Sequence, residues 1–200
     1  MLTKLKAKVQ SAIKAQAKAA DKIGLTPNSI SALGIIFAFL SAIAYAGGQQ
    51  NLALAAVLLL LSGYCDMLDG ALARLCQKAT TFGGFLDSLL DRYADAAVYA
   101  GIMLGGLCTP YWGLVALVGS LLVSYARARA EAASVKMEGV GLAERAERMI
   151  IIAATSLIEI FWKGALEAGV IVLAVLTNLT VLQRSYHAYK ALKKEEKREA

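Results

Sequence analysis

The chain has 200 residues, is 58% hydrophobic and has a mean hydropathy of +0.57, which excludes an ordinary soluble globule and points to an all-α integral membrane protein. Its formal net charge of +6 falls in blocks: Lys and Arg gather at the N-terminus, from Arg74 to Lys78, from Arg127 to Arg148 and at the C-terminus. Gly47 to Asn51 and Gly105 to Gly113 carry no charge, so the positive-inside rule puts the basic blocks on the cytoplasmic side and these gaps outside.

In chain order, residues 2–23 place Leu2, Leu5, Val9, Ile13, Ala17, Ala20 and Ile23 at helical spacing, with Lys4, Lys8, Lys14, Lys18 and Lys22 off that stripe. Such a helix lies in the interface with its lysines toward anionic headgroups. Gly24 and Pro27 break it, and Asn28 or Ser29 is the expected cap of the next helix. A long Lys-rich segment precedes the first apolar stretch, which runs to spanning length, so no cleavable signal peptide is expected. Apolar stretches stand at 29–46, 52–75, 83–105, 111–133, 148–162 and 165–190, each near the roughly 20 residues of a membrane span except the short fifth. The predicted organisation is an amphipathic juxtamembrane helix over 1–26, a six-helix transmembrane catalytic domain over 27–192 and a charged tail over 193–200. Both termini then face the cytoplasm, and a homodimer is the expected assembly. No nucleic-acid partner is expected, and Cys65, Cys76 and Cys108 read as small apolar fillers.

Two short runs carry the chemistry. In the first, Asp66, Asp69, Gly70, Ala73 and Arg74 stand at i, i+3, i+4, i+7 and i+8; in the second, Gly83, Asp87 and Asp91 stand at i, i+4 and i+8. Each spacing keeps its members on one helical face, so two neighbouring helices aim four carboxylates at one point. An Asp at mid-bilayer costs roughly 2.5–3.5 kcal/mol on insertion scales, and like charges add repulsion. Divalent cations relieve both. Hard oxygen ligands without His or Cys favour Mg²⁺, Mn²⁺ or Ca²⁺ over zinc, and a pair of such ions can clamp a pyrophosphate for in-line displacement at phosphorus. Small Gly70, Ala73 and Gly83 leave room beside them for a nucleotide. The alternative, carboxylates at helix ends paired with Arg74 and Arg92, accounts for one or two aspartates better than for four.

These runs resemble the CDP-alcohol phosphotransferases, whose pattern D-x2-D-G-x2-A-R-x8 or 9-G-x3-D-x3-D is matched throughout, with eight residues between Arg74 and Gly83. The resemblance implies an enzyme in which Asp66, Asp69 and Asp87 ligate Mg²⁺ or Mn²⁺, two ions in all. Asp91 then completes the metal site and acts as general base on the acceptor hydroxyl. It also implies that Pro27, Asn28 and Ser31, together with Asp66, Asp69, Gly70, Ala73, Arg74, Gly83 and Asp87, border the CDP group of a CDP-lipid donor. No residue near the aspartates forms a nucleophile–base pair: the single His, His187, lies far off in sequence and reads as an interfacial side chain.

A second cluster addresses the acceptor. Arg127, Arg129, Arg145, Arg148 and Arg184 are more cation than a neutral alcohol needs, and guanidinium forks suit an acceptor that itself carries a phosphate. The plainer alternative is that cytoplasmic loops are basic and that Glu131, Glu144 and Glu147 neutralise several of these side chains. The stretches R-A-R-A-E, G-x-x-E-R-x-E-R and T-V-x-Q-R look like those of archaetidylinositol-phosphate and phosphatidylinositol-phosphate synthases, which implies inositol phosphate as acceptor. Relatives often carry Lys where Arg127 stands. The lysine-rich leader leans the expected donor toward CDP-archaeol, with CDP-diacylglycerol as the alternative. Glycerol phosphate or serine as acceptor, a soluble inositol-containing donor, a catalytically silent assembly subunit and a cation transporter are the other readings.

Overall fold

The computed structural model describes residues 13–137 and 139–199. Among them the chain forms seven α-helices: α1 over 13–22, α2 Pro27–Ala46, α3 Leu52–Leu75, α4 Thr81–Leu104, α5 Pro110–Ala132, α6 Arg145–Glu159 and α7 Ala165–Glu199. A 3-10 turn, Gln49–Asn51, precedes α3.

The leader of α1 before residue 13 lies outside the described residues. Within them, Ala17 and Ala20 are buried and Lys14, Lys18 and Lys22 exposed, as the stripe predicts. The buried face rests on protein: Ala17 and Ala20 pack with Ile30 of α2 and Cys65, Ala71 and Leu72 of α3. Ile23, predicted to share the face, is exposed because the helix has already stopped at Lys22, and Gly24 at φ +81 turns the chain away. Two polar contacts fasten α1: Tyr64 donates to Gln16 Oε1 at 2.8 Å, and Lys78 pairs with Asp21 at 2.7 Å. The Lys78 hydrogen bond holds the Asp21 carboxyl below the usual carboxylate range.

Helix α2 begins two residues earlier than the expected stretch at 29, and its cap is Thr26, whose side chain accepts from the Ser29 N–H at 3.2 Å. Pro27 therefore opens the helix at its first position, where its missing N–H is no loss, rather than standing outside it. Helices α2, α3, α5 and α7 (Ala165–Lys194) are long and apolar enough to cross a membrane, which is four of the six expected spans. Helix α4 has the length but carries Asp87, Asp91, Arg92 and Asp95; α6 has only 15 residues. The segment predicted as a separate tail from residue 193 continues α7 as helix to Glu199.

Short connections alternate the helix direction, so α3 ends and α2, α4 and α6 begin at one end of the bundle. Helix α2 packs on α3 and α4, α3 on α6, and α7 on α5 and α6. The main core, with Tyr45, Leu52, Leu59, Tyr99, Ile102, Leu166 and Leu173, fills the opposite half. Its buried hydroxyls are matched, Tyr45 Oη to Ser156 Oγ at 2.7 Å and Tyr99 Oη to Ser120 Oγ at 3.4 Å. Glu159 ends α6 and accepts from the Gly164 and Leu166 N–H groups at 3.0 and 2.9 Å, tying the start of α7 to its neighbour.

Helices α2 and α4 touch backbone to backbone at Gly101, where an added Cβ would run into the Ala42 carbonyl. Gly101→Ala should therefore lower stability by about 1–3 kcal/mol through overpacking. Gly84→Ala, in the same helix with open space around it, should be neutral or stabilising by up to about 1 kcal/mol. Thermal unfolding in detergent separates the two; equal shifts would remove close helix approach as the cause.

Candidate active site

The last three turns of α3 and the first three of α4 face each other across a five-residue connection, residues 76–80, in which Gln77 takes φ +54. Thr80 fixes where α4 starts: its side chain accepts from the Gly83 N–H at 3.0 Å. Asp66, Asp69 and Asp87 each bring a carboxylate oxygen within 4.8 Å of the other two, the one such acidic group among the described residues. Asp69 is 5% exposed and accepts a 2.6 Å hydrogen bond from Ser31 Oγ, which ties the start of α2 into the cluster. Three carboxylates, with no His or Cys in the group, are a hard-oxygen donor set that fits Mg²⁺ or Mn²⁺.

Asp91 lies one turn beyond Asp87 and is engaged differently. Arg145 Nη1 stands 2.8 Å from Asp91 Oδ1 and 3.0 Å from Asp66 Oδ2, so one guanidinium bridges the two helices. Neither contact is aligned as a hydrogen bond, which makes the pairing coulombic. The sequence predicted Arg145 for the acceptor's phosphate; the fold brings it against the aspartates as well. One further carboxylate, Asp95, was not singled out from sequence. Its spacing of four from Asp91 was the available signal. Asp95 pairs with Arg148 Nη2 at 2.8 Å and Arg145 Nε at 3.5 Å.

The residues expected around CDP gather at the same end of the bundle. A Cβ on Gly83 would sit 2.8 Å from Thr80 Oγ1 and 3.5 Å from Asn28 Oδ1, placing the first turns of α2 and α4 side by side. Pro27 precedes Asn28, and Ser31 touches Asp69 one turn on. The guanidinium of Arg74 lies over Gly70, 3.3 Å from where a Cβ would stand. Ala73 is half-buried beside it.

The five acceptor arginines separate. Arg127, Arg145, Arg148 and Arg184 line a cavity of about 890 Å³ that also takes in Arg74, Asp87, Asp91 and Asp95. That volume is in the ~300–1,000 Å³ range of small-molecule sites. Arg129 is exposed and is not among its lining residues. Arg127 pairs with Glu131 at 2.8 Å on the same helix. Arg184, 2% exposed, donates from Nε to the Val140 carbonyl at 2.8 Å and from Nη1 to the Val123 carbonyl at 2.7 Å. Its third nitrogen is 3.7 Å from Glu144. Arg148, 3% exposed, divides its donors between Asp95 and the Ala143 carbonyl at 3.1 Å. Both buried arginines therefore shape the cavity through the 133–144 loop, a role that residue type alone does not reveal.

Residues 24–182 match the family described as CDP-alcohol phosphatidyltransferase. The chain is 41% identical over 192 residues to the archaetidylinositol phosphate synthase of Pyrococcus horikoshii, covering 96% of this chain and 98% of that one. It is 44% identical over 175 residues to the enzyme of the same name from Methanothermobacter thermautotrophicus, covering 87% and 88%. Two crystal structures of the phosphatidylinositol phosphate synthase of Mycobacterium tuberculosis superpose with a TM-score of 0.77 at 32% identity. The one with CDP-DAG bound is matched over 88% of this chain and 93% of that chain; the one in complex with manganese and citrate, over 88% of each. With the aspartate pattern complete and assembled at one end of a matching helical bundle, the chain belongs to the CDP-alcohol phosphatidyltransferase family.

Proposed function

We propose that this integral membrane enzyme transfers the archaetidyl group of CDP-archaeol to inositol phosphate, releasing CMP and giving archaetidylinositol phosphate. The observation that carries the reading is the continuity of the two halves of the site: through Asp87 the carboxylate cluster borders a cavity lined by four of the five expected acceptor arginines, with Arg74 and Arg92 beside them. The near-full-length relatives named for this product support the choice of acceptor and lipid. CDP-diacylglycerol is the second reading for the donor, because a relative of the same fold is known with CDP-DAG bound.

In this proposal Asn28, Gly70, Ala73, Arg74 and Gly83 hold the CDP group, with Pro27 and Ser31 shaping the same wall. A divalent cation held by Asp66, Asp69 and Asp87 supplies positive charge to the pyrophosphate. The proposal counts two ions and places Asp91 in their ligand set. Asp91 borders both the carboxylate cluster and the large cavity, where a carboxylate can take the acceptor's hydroxyl proton. The alcohol oxygen bonds to the lipid-side phosphorus, the bridging P–O bond to CMP breaks, and the proton passes to Asp91. Arg145, Arg148 and Arg184, whose Nη2 has only the longer 3.7 Å contact to Glu144, give the acceptor's phosphate its counter-charge, with Arg127 at the rim and Arg129 outside the pocket.

The proposal includes six spans, counting α4 and α6 because both are packed within the bundle. It keeps 1–26 as the juxtamembrane element and 27–192 as the catalytic unit, and sets the termini and the site on the cytoplasmic side, where the basic blocks lie. Self-association as a homodimer belongs to it too, with the apolar outer faces of the spans as the available surface.

Purified protein with Mg²⁺ and CDP-archaeol should release CMP only when inositol phosphate is added, and chelation should abolish release until Mg²⁺ or Mn²⁺ is restored. Release with another alcohol but not inositol phosphate would keep the reaction and discard the acceptor. Preference for CDP-diacylglycerol would change the lipid alone. Asp91→Asn should cut turnover by about 10²–10⁴-fold, the usual contribution of a general base, while CDP-lipid binding in detergent changes little. Near-normal turnover in that variant would remove Asp91 from the base role.

A further inference from the structure

Helices α4 and α6 pack mainly on other partners, α4 on α2 and α5, α6 on α3 and α7. What joins them directly at the site is charge. Arg145 and Arg148 stand three apart on the first turn of α6, so both side chains leave the same face. Asp95 meets both, Arg145 through Nε at 3.5 Å and Arg148 through Nη2 at 2.8 Å, and its side chain is only 12% exposed. The same carboxylate lines the large cavity and a small enclosed space behind it, where Ser62, Tyr99 and Met149 close the wall.

This arrangement answers a specific difficulty. Arg145 also lies within 3.0 Å of Asp66 and 2.8 Å of Asp91, and a long, flexible cation beside two carboxylates is drawn wholly onto them. Asp95 pulls on the opposite edge of the guanidinium. It also neutralises part of the repulsion between two neighbouring arginines that must face the same cavity. Through Arg148, which donates to the Ala143 carbonyl, the pull reaches the loop that Thr180 of α7 holds by accepting from the Leu142 and Ala143 N–H groups.

We propose that Asp95 is a positioning residue of the acceptor site, holding Arg145 and Arg148 so that they meet the acceptor's phosphate. The proposal rests on the reading of the cavity as the site of a phosphorylated acceptor. Asp95 touches no reacting atom; its effect passes through the two arginines and falls on acceptor affinity rather than on the donor.

The test is CMP release by the full chain in detergent, with CDP-lipid and with inositol phosphate or glycerol phosphate as acceptor. Asp95→Asn should raise KM for the phosphorylated acceptor by roughly tenfold or more, as loss of a charge-assisted pairing predicts, while KM for CDP-lipid stays within about twofold. An unchanged acceptor KM, or equal rises in both, overturns the proposal while leaving the acceptor assignment standing. If the unaltered chain turns over neither phosphorylated acceptor, the reading of the cavity fails and the proposal falls with it. Asp95→Ser, which removes the charge with less bulk, carries the same expectation should the Asn variant not fold. Failure of both to fold makes Asp95 a structural brace and overturns the proposal.

Discussion

Mutual repulsion among carboxylates held at one end of an apolar bundle governs most of what surrounds them. Asp66, Asp69 and Asp87 share a space less than 5 Å across, and Asp91 and Asp95 continue the same face of α4. Each negative charge in such a setting is costly, so the neighbours are chosen to offset it. Ser31 donates to Asp69, and Arg145 stands between Asp66 and Asp91. The cation that the donor set fits completes the compensation. Helices bearing these groups must also approach closely, and glycines at the contacts allow it: a Cβ on Gly34 would come within 3.0 Å of Cys65, next to Asp66.

The arginines divide the labour that remains. Arg184 and Arg148 place most of their donors on backbone carbonyls and carboxylates, fixing the 133–144 loop between α5, α6 and α7. Arg145 has a guanidinium nitrogen between two carboxylates with no aligned hydrogen bond to either, and its one side-chain hydrogen bond, from Nε to Asp95 Oδ1, is long at 3.5 Å, so it is the most adaptable of the three. A rigid wall and one adaptable cation suit a site that must admit a donor and an acceptor and release two products.

The helices were readable because apolar runs of spanning length, broken by Gly, Pro and uncharged gaps, leave few other solutions. The Asp66–Asp91 pattern was readable because helical spacing maps it onto two faces. Other features depend on contacts between segments far apart in sequence. Nothing local distinguishes Arg184 as a loop anchor from Arg184 as a phosphate ligand; the difference lies in where the Val123 and Val140 carbonyls fall. Asp95 lacked a place in the familiar motif, although it continues the spacing by one more turn. The interfacial reading of α1 found its apolar face but not its partner, since a stripe of alanines reads alike against lipid and against α3. Thr26 as the cap of α2 was hidden by a Pro that looked like a breaker and serves as the first residue.

The brevity of α6 reaches beyond the protein. Its 15 residues rise about 22 Å, against a hydrocarbon core of about 30 Å. Arg145 and Arg148 occupy its first turn, so the mismatch falls where the acceptor cavity lies. In the proposed six-span arrangement, lipid beside this helix would thin to meet it, and headgroups and water would dip toward the arginines. A water-soluble phosphate and a membrane-bound nucleotide lipid would then meet at one depth without either leaving its own phase.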